Sequence, residues 1–362
     1  MKIPIGKPDV GKDEIKAVME TMKSGWVSQG EKVERFEESF AQYCGVKYGV
    51  AVSTGTAALH TALTALNIGE GDEVITTPLS CVATTNPILY LKAKPVFVDV
   101  DPATLNIDPS LIEEKITPKT KAILPVHLFG HPVDFDPILE IAEEHDLPIV
   151  EDASQAHGAK YKGKKVGQFG QVSCFSFYAD KMITTVEGGM ALTNDAKLAE
   201  KMRLLRSFGM SKQKKFYHPL LGYNYKMSDI HAAIGVIQLP KLDKYIQKRR
   251  KNINYLKEQV ESPRLKLPNE QEYAFDVYYV CHILAQKRSD RDKLVKHLEK
   301  NGIETRPLLS FIPEQPPYAK LGCDLTELTR AREAHQKGFY VSNSPLLSEE
   351  HIRYLAHTLN EF

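Results

Sequence analysis

The sequence predicts an α/β protein in which a mostly parallel sheet is wrapped by helices on both faces and followed by a smaller α+β domain. Between residues 48 and 154, short apolar runs alternate with segments of helical periodicity, the pattern of parallel strands joined by crossover helices. After Pro240 the pattern changes to one long helical stretch and then shorter mixed runs. A chain of 362 residues with 42% hydrophobic content can bury a full core in about two domains. The boundary is expected between 1–240 and 241–362.

Composition excludes several classes of partner. Lys and Arg (47) nearly cancel Asp and Glu (46), so no global field draws the chain to nucleic acid or an anionic membrane, and anionic ligands must be met by local donors. The five cysteines, Cys44, Cys81, Cys174, Cys281 and Cys323, are odd in number and lack CxxC or Cys/His spacing. That is the usage of reduced cytoplasmic thiols, not of a disulfide framework or a metal site. No apolar run has the length of a signal peptide or a membrane span, so a soluble cytoplasmic protein is expected.

Taken in order, Asp13 to Ser24 reads as a helix from the spacing of Ile15, Val18, Met19 and Met22, ended by Gly25. The loop GWVSQG (25–30) holds the only tryptophan, Trp26, either a core plug or a ligand contact. Residues 31–44 repeat the helical pattern. The stretch 48–66 then switches from strand to helix across Thr54-Gly55-Thr56. Free N–H groups at that helix start, with hydroxyls beside them, make either a phosphate site or an ordinary Thr cap. Strands are expected over 73–79, 94–101, 122–129 and 148–154, with helices over 84–92, 109–116 and 136–145. Residues 241–260 read as a connecting helix through Leu242, Tyr245, Ile246, Ile253 and Leu256.

Ligands of such sheets sit at the carboxyl ends of the strands, and three features converge there. Lys181 follows the apolar run Val172 to Tyr178. It is either an amine held in an apolar pocket, where desolvation favours the nucleophilic free base, or a lysine escaping to the surface. Asp152 closes the strand PIVED, either as an N-cap at the strand end or as the partner of a protonated pyridine nitrogen. With the Thr54–Thr56 turn, these supply an imine-forming amine, a ring-nitrogen partner and a phosphate cradle, the set required by pyridoxal phosphate.

The segments SGWVSQG (24–30), STGTAAL (53–59), EDASQAHGA (151–159), SFYADKMITTVEGGM (176–190), YNYKMSDIHAAIGVIQL (223–239) and ETRPL (304–308) resemble those of the DegT-type nucleotide-sugar aminotransferases. The resemblance runs over nearly the whole chain. It implies fold type I, with a mostly parallel sheet of the seven-stranded type, and pyridoxal 5'-phosphate as cofactor. Carried across residue by residue, it implies that Lys181 forms the Schiff base, Asp152 pairs with the pyridine nitrogen and Gln155 meets the phenolic oxygen. It further implies that Gly55, Thr56 and Ser176 hold the phosphate with Asn224 from the other subunit of a homodimer. Relatives with His at the Schiff-base position are sugar dehydratases, so Lys181 favours transamination.

Four positions depart from the family pattern. Cys81 stands where an aromatic residue usually stacks on the cofactor, Lys226 where Arg is common, Val186 for a frequent Gly and Phe208 for a frequent His. Trp26, Lys226 and Arg306 are candidate substrate contacts, Arg306 being equally readable as a surface ion-pair residue. Lys212, Lys214 and Lys215 form either a solvated basic loop or a nucleotide-diphosphate contact. The expected reaction moves an amino group from an amino acid, glutamate by the family pattern, to a nucleotide-linked 4-keto-6-deoxyhexose. A 3-keto sugar, an elimination, or an inert cofactor-binding regulatory protein are the alternatives.

Overall fold

The computed structural model describes residues 1–211 and 213–362, so Lys212 lies outside the described residues. Its main sheet runs Lys94–Phe97, Glu73–Thr76, Thr120–Leu124, Val150–Asp152, Val172–Ser176, Gly189–Thr193, Tyr48–Val52. Parallel bridges from Ile123 to Ile149 and from Val126 to Asp152 join its two halves. Only Gly189–Thr193 runs against its neighbours. The fold type I sheet implied by the resemblance is therefore present.

Neighbouring strand residues go to opposite faces, and both faces are dry. Val74, Ala122, Val172 and Cys174 lie in the core that includes helix α3 (Gly55–Ala65), whereas Ile75, Ile123 and Phe175 lie in the core that includes helix α2 (Glu31–Cys44). Burial on both sides is why these strands read as continuous apolar runs. Under α2, Phe40 meets Phe175 and Phe177 edge-on at 5.0 Å, a cluster whose truncation at Phe40 would cost about 3–5 kcal/mol.

The chain past residue 260 adds an antiparallel sheet in the order Leu265–Lys266, Cys281–Ala285, Gly338–Val341, Thr305–Pro307. It packs with the long helix Leu242–Gln259 and the helix Glu349–Asn360. Packing crosses residue 240 in both directions. Ile3 bridges Ile303 and joins the core beside the antiparallel sheet, while Val277 and Phe311 are buried in the cores on the two faces of the main sheet.

Several elements differ from expectation. The helix expected over 109–116 is two 3-10 turns, Pro109–Leu111 and Glu113–Lys115. The strand expected over 122–129 stops at Leu124, because Pro125 has no N–H for the ladder. Beyond it Phe129 takes a left-handed conformation with φ 57°. The strand expected over 73–79 ends at Thr76 before Pro78, and Leu79–Ser80 pairs instead with Ser310–Phe311.

Helix α1 (Lys12–Ser24) forms with its apolar face outward. Ile15, Met19 and Met22 are 50–55% exposed, whereas Glu14 and Thr21 are buried. Glu14 points inward because Gln238, Lys241 and the Gly11 N–H bond its carboxylate. Burial pushes its pKa up, but those bonds outweigh it and hold the group down at about 2.

Candidate active site

At the carboxyl ends of the strands lies a cavity of about 240 Å³ whose walls include Gly55, Thr56, Cys81, Asp152, Gln155, Ser176 and Lys181. Asp152 and Ser176 end strands of the main sheet, Gly55 and Thr56 open the helix Gly55–Ala65, Cys81 follows Leu79–Ser80, and Gln155 and Lys181 lie in the loops beyond the strand ends.

One end is built around the start of α3. Thr54 caps the helix, its Oγ1 accepting the Ala57 N–H at 3.0 Å, so Gly55 and Thr56 occupy the first turn, where N–H groups face an anion. Close approach explains the glycines. A Cβ on Gly55 would lie 2.7 Å from the Ser176 Cβ, and one on Gly189 2.2 Å from the Thr54 carbonyl oxygen. Ser176 is 8% exposed, with its hydroxyl beside the same turn.

At the other end Asp152 is 4% exposed. Its Oδ2 accepts the Thr84 hydroxyl at 2.8 Å and its Oδ1 the Ser154 N–H at 3.1 Å. Thr84 in turn bonds Ser80 Oγ at 2.8 Å. Sequence reading missed Thr84; a threonine in the first turn after a strand carries no periodic signal, and only the fold puts it against the carboxylate.

Glu151, on the opposite side of the strand, accepts bonds from the N–H groups of Gly167, Phe169 and Gly170 and from the Ser173 hydroxyl, and contacts His127 Nε2 at 3.2 Å. Burial pushes its pKa up, yet His127 and the amides bring it below the ordinary range, so it is an anion. It ties the 167–170 turn to the strand that ends in Asp152.

Gln155 is held by the Phe129 N–H, which donates to Oε1 at 2.8 Å. The Nε2 end is thereby left to donate into the cavity.

Lys181 lies past the end of the strand, on a cavity wall that mixes apolar and polar groups. The strand stops at Ser176, Tyr178 is 49% exposed, and Lys181 is half-buried in the loop beyond it. Thr56, Ser80, Thr84, Asp152, Ser154 and Gln155 supply the polar groups of the cavity wall, and Leu59, Ala83 and Tyr178 its apolar ones. The chain leaves the strand before the lysine, but Phe177, Met182 and Ile183 on either side of it stay buried in the core. Its Nζ stands 4.7 Å from the Tyr279 ring centroid. Cys81 is exposed on the cavity wall.

Asn224, Lys226, Trp26 and Arg306 are not on that wall. Lys226 Nζ donates to Asn224 Oδ1 at 2.6 Å and lies 3.8 Å from the Phe208 ring centroid, so two departures from the family pattern touch each other. Burial and Arg206 lower the Lys226 pKa. Trp26 is 65% exposed, its indole N–H reaching the Gln29 carbonyl at 3.3 Å; it is not a core plug. Arg306 is exposed and pairs in register with Tyr340. Lys214 and Lys215 are exposed, each near an aromatic neighbour, Tyr217 and Phe216.

The sequence profile of the DegT/DnrJ/EryC1/StrS aminotransferase family matches residues 8–360. The GDP-perosamine synthase of Caulobacter vibrioides is 42% identical, over 91% of this chain and 90% of that protein. The GDP-perosamine synthase of Escherichia coli O157:H7 is 39% identical, over 99% and 98%. Among solved structures, the aminotransferase PseC of Helicobacter pylori, described as involved in the biosynthesis of pseudoaminic acid, superposes with TM-score 0.94 at 30% identity, over 100% and 99%.

Proposed function

We propose, from the premise that this chain belongs to the DegT/DnrJ/EryC1/StrS aminotransferase family and is a pyridoxal-phosphate-dependent nucleotide-sugar aminotransferase, that it moves the amino group of L-glutamate to a nucleotide-linked 4-keto-6-deoxyhexose. The observation that carries the site is the single cavity shared by Lys181, Asp152, Gln155, Ser176 and the Gly55–Thr56 turn. A phosphorylated pyridine suits that donor set: amides and hydroxyls at one end, a buried carboxylate at the other. Bound there, the cofactor draws electrons from the α carbon of the amino donor.

The roles of the side chains come from their surroundings. Gly55, Thr56 and Ser176 bind the phosphate. Asp152, its oxygens oriented by Thr84 and Ser154, keeps a proton on the ring nitrogen. Gln155 donates Nε2–H to the phenolic oxygen. Lys181 Nζ anchors the cofactor at rest and, once displaced by the donor, carries the proton taken from the donor's α carbon. Cys81, on the cavity wall, would offer a bound cofactor no aromatic ring to stack on.

The acceptor is supported by the GWVSQG and ETRP segments, which resemble 4-aminating enzymes, and the names of two relatives favour a guanosine diphosphate. Trp26, Lys226 and Arg306 are its proposed contacts. The complete unit is a homodimer in which Asn224 of each chain reaches the other's phosphate site. The outward apolar face of α1, with Trp26 beyond it, supports that assembly. The five free cysteines support a cytoplasmic location.

The test is spectroscopic. Loaded with pyridoxal phosphate, the enzyme should lose its visible band on adding glutamate and recover it on adding a GDP-linked 4-keto-6-deoxyhexose. A band indifferent to glutamate would sink the donor assignment; recovery only with a 3-keto sugar would sink the acceptor assignment.

A further inference from the structure

A second, smaller hollow shares Lys181 with the cavity. This crevice, of about 40 Å³, is also lined by Asp9, Asp180, Arg249, Tyr279 and Tyr340. Arg249 projects from the helix Leu242–Gln259 and is only 5% exposed. Nη1 makes both of its hydrogen bonds, to the carbonyl oxygens of Tyr279 and Asn343 at 2.7 Å each, and Nε has no partner among the described residues. The Nε–Nη2 edge, the side of a guanidinium that accepts a carboxylate through two parallel bonds, is therefore unused.

The charge is bonded only to neutral carbonyls. Burial lowers the guanidinium pKa to about 10, with Tyr279 and Asp180 opposing it through space. Of the two carboxylates on the crevice wall, Asp9 is engaged by the Tyr245 hydroxyl at 2.6 Å and Asp180 interacts with the Tyr279 phenol. A buried cation without a bonded anion is a costly arrangement.

We propose that Arg249 receives the α-carboxylate of the amino-acid donor in this crevice. The assignment deepens the amino-acid-donor reading and rests on it. In an α-amino acid the carboxylate carbon is two bonds from the nitrogen, so a donor whose amine displaces Lys181 must place its carboxylate beside that lysine. This crevice borders it. One water needs about 10–15 Å³ of such space, so the crevice holds a carboxylate and excludes a sugar nucleotide. The acceptor has to enter from the larger cavity, which separates the two substrates by charge and size.

The holoenzyme tests this with Arg249→Lys, which keeps the charge and loses the fork. The glutamate concentration that half-saturates loss of the visible band should rise about tenfold or more, the loss of one good charge-assisted bond. The keto-sugar half-reaction should change by less than about threefold. Glutarate, a dicarboxylate with no amine, should bind the wild-type holoenzyme in calorimetric titration and weaken by a similar factor in the variant. Equal losses in both half-reactions, or unaltered glutarate affinity, would overturn the assignment and leave Arg249 as a tie between backbone segments. Should Arg249→Lys fail to fold, wild-type enzyme decides: 4-aminobutyrate, which lacks the α-carboxylate, should react at least about a hundredfold more slowly than glutamate, and comparable rates would overturn the proposal. A wild-type enzyme that reacts with no amino acid would instead remove the donor reading itself.

Discussion

The inner wall of the cavity and its outer surroundings are built on different terms. Along the inner wall Asp152, Gln155 and Ser176 are each less than 9% exposed, and Asp152 and Gln155 are held by neighbours that leave little freedom. Outside it, Trp26, Phe208 and Val186 are 47–65% exposed, and Lys226 rests on Phe208. The groups proposed to hold the cofactor from within the chain are thus pre-formed, with Asn224 alone left to a second one. The proposed acceptor contacts are left for a second chain or for the substrate to order, which suits a fold that keeps one chemistry and varies its sugar.

That contrast can be broken at graded cost. The largest effect should come from Lys181→Ala, which removes the amine itself: the visible band and turnover should both vanish, and an active variant would refute the central role given to Lys181. Thr84→Val should come next, since it deletes one hydrogen bond to a buried carboxylate while keeping the side chain's shape. A loss of about 1.5–3 kcal/mol predicts turnover lower by roughly ten- to a hundredfold, with the circular dichroism of the wild type; full turnover would mean that Asp152 is held without it.

Smaller effects belong to the outer side. Lys226→Met removes a cation from an aromatic face, a contact worth about 0.5–1 kcal/mol at exposed sites, so the KM for the sugar nucleotide should rise roughly two- to fivefold. An equal change in the glutamate half-reaction would erase the distinction between the two walls. Smallest is Val186→Gly. Val186 has φ 71°, a left-handed conformation that costs a β-branched residue about 1–2 kcal/mol. The variant should melt roughly 1–3 °C higher, and a lower Tm would show that the valine packs against something worth more than its strain.

Much of this architecture is legible from residue order. Alternating apolar runs locate the strands because both sheet faces are buried, and the carboxyl-end rule then gathers Gly55, Asp152 and Lys181 at one edge. The features that escaped did so for physical reasons. Periodicity shows that α1 has an apolar face but not which side of it meets the core, and buried Glu14 with Lys241 decides that from 227 positions away. The run before Lys181 promised apolar surroundings, but the polar groups beside it, Thr84, Asp152 and Gln155 among them, come from other parts of the chain that periodicity does not connect to it. Thr84 and Arg249 are ordinary in sequence. Their partners, Asp152 and the carbonyls of Tyr279 and Asn343, are joined to them only by the fold.

The outward face of α1 also bears on how the protein persists in a cell. If assembly covers Ile15, Met19 and Met22, mass action ties stability to abundance: dilute chains are the fragile ones, and the melting temperature should climb with protein concentration. A newly made copy then carries an adhesive stripe until it meets another, and expression level becomes part of what keeps it folded.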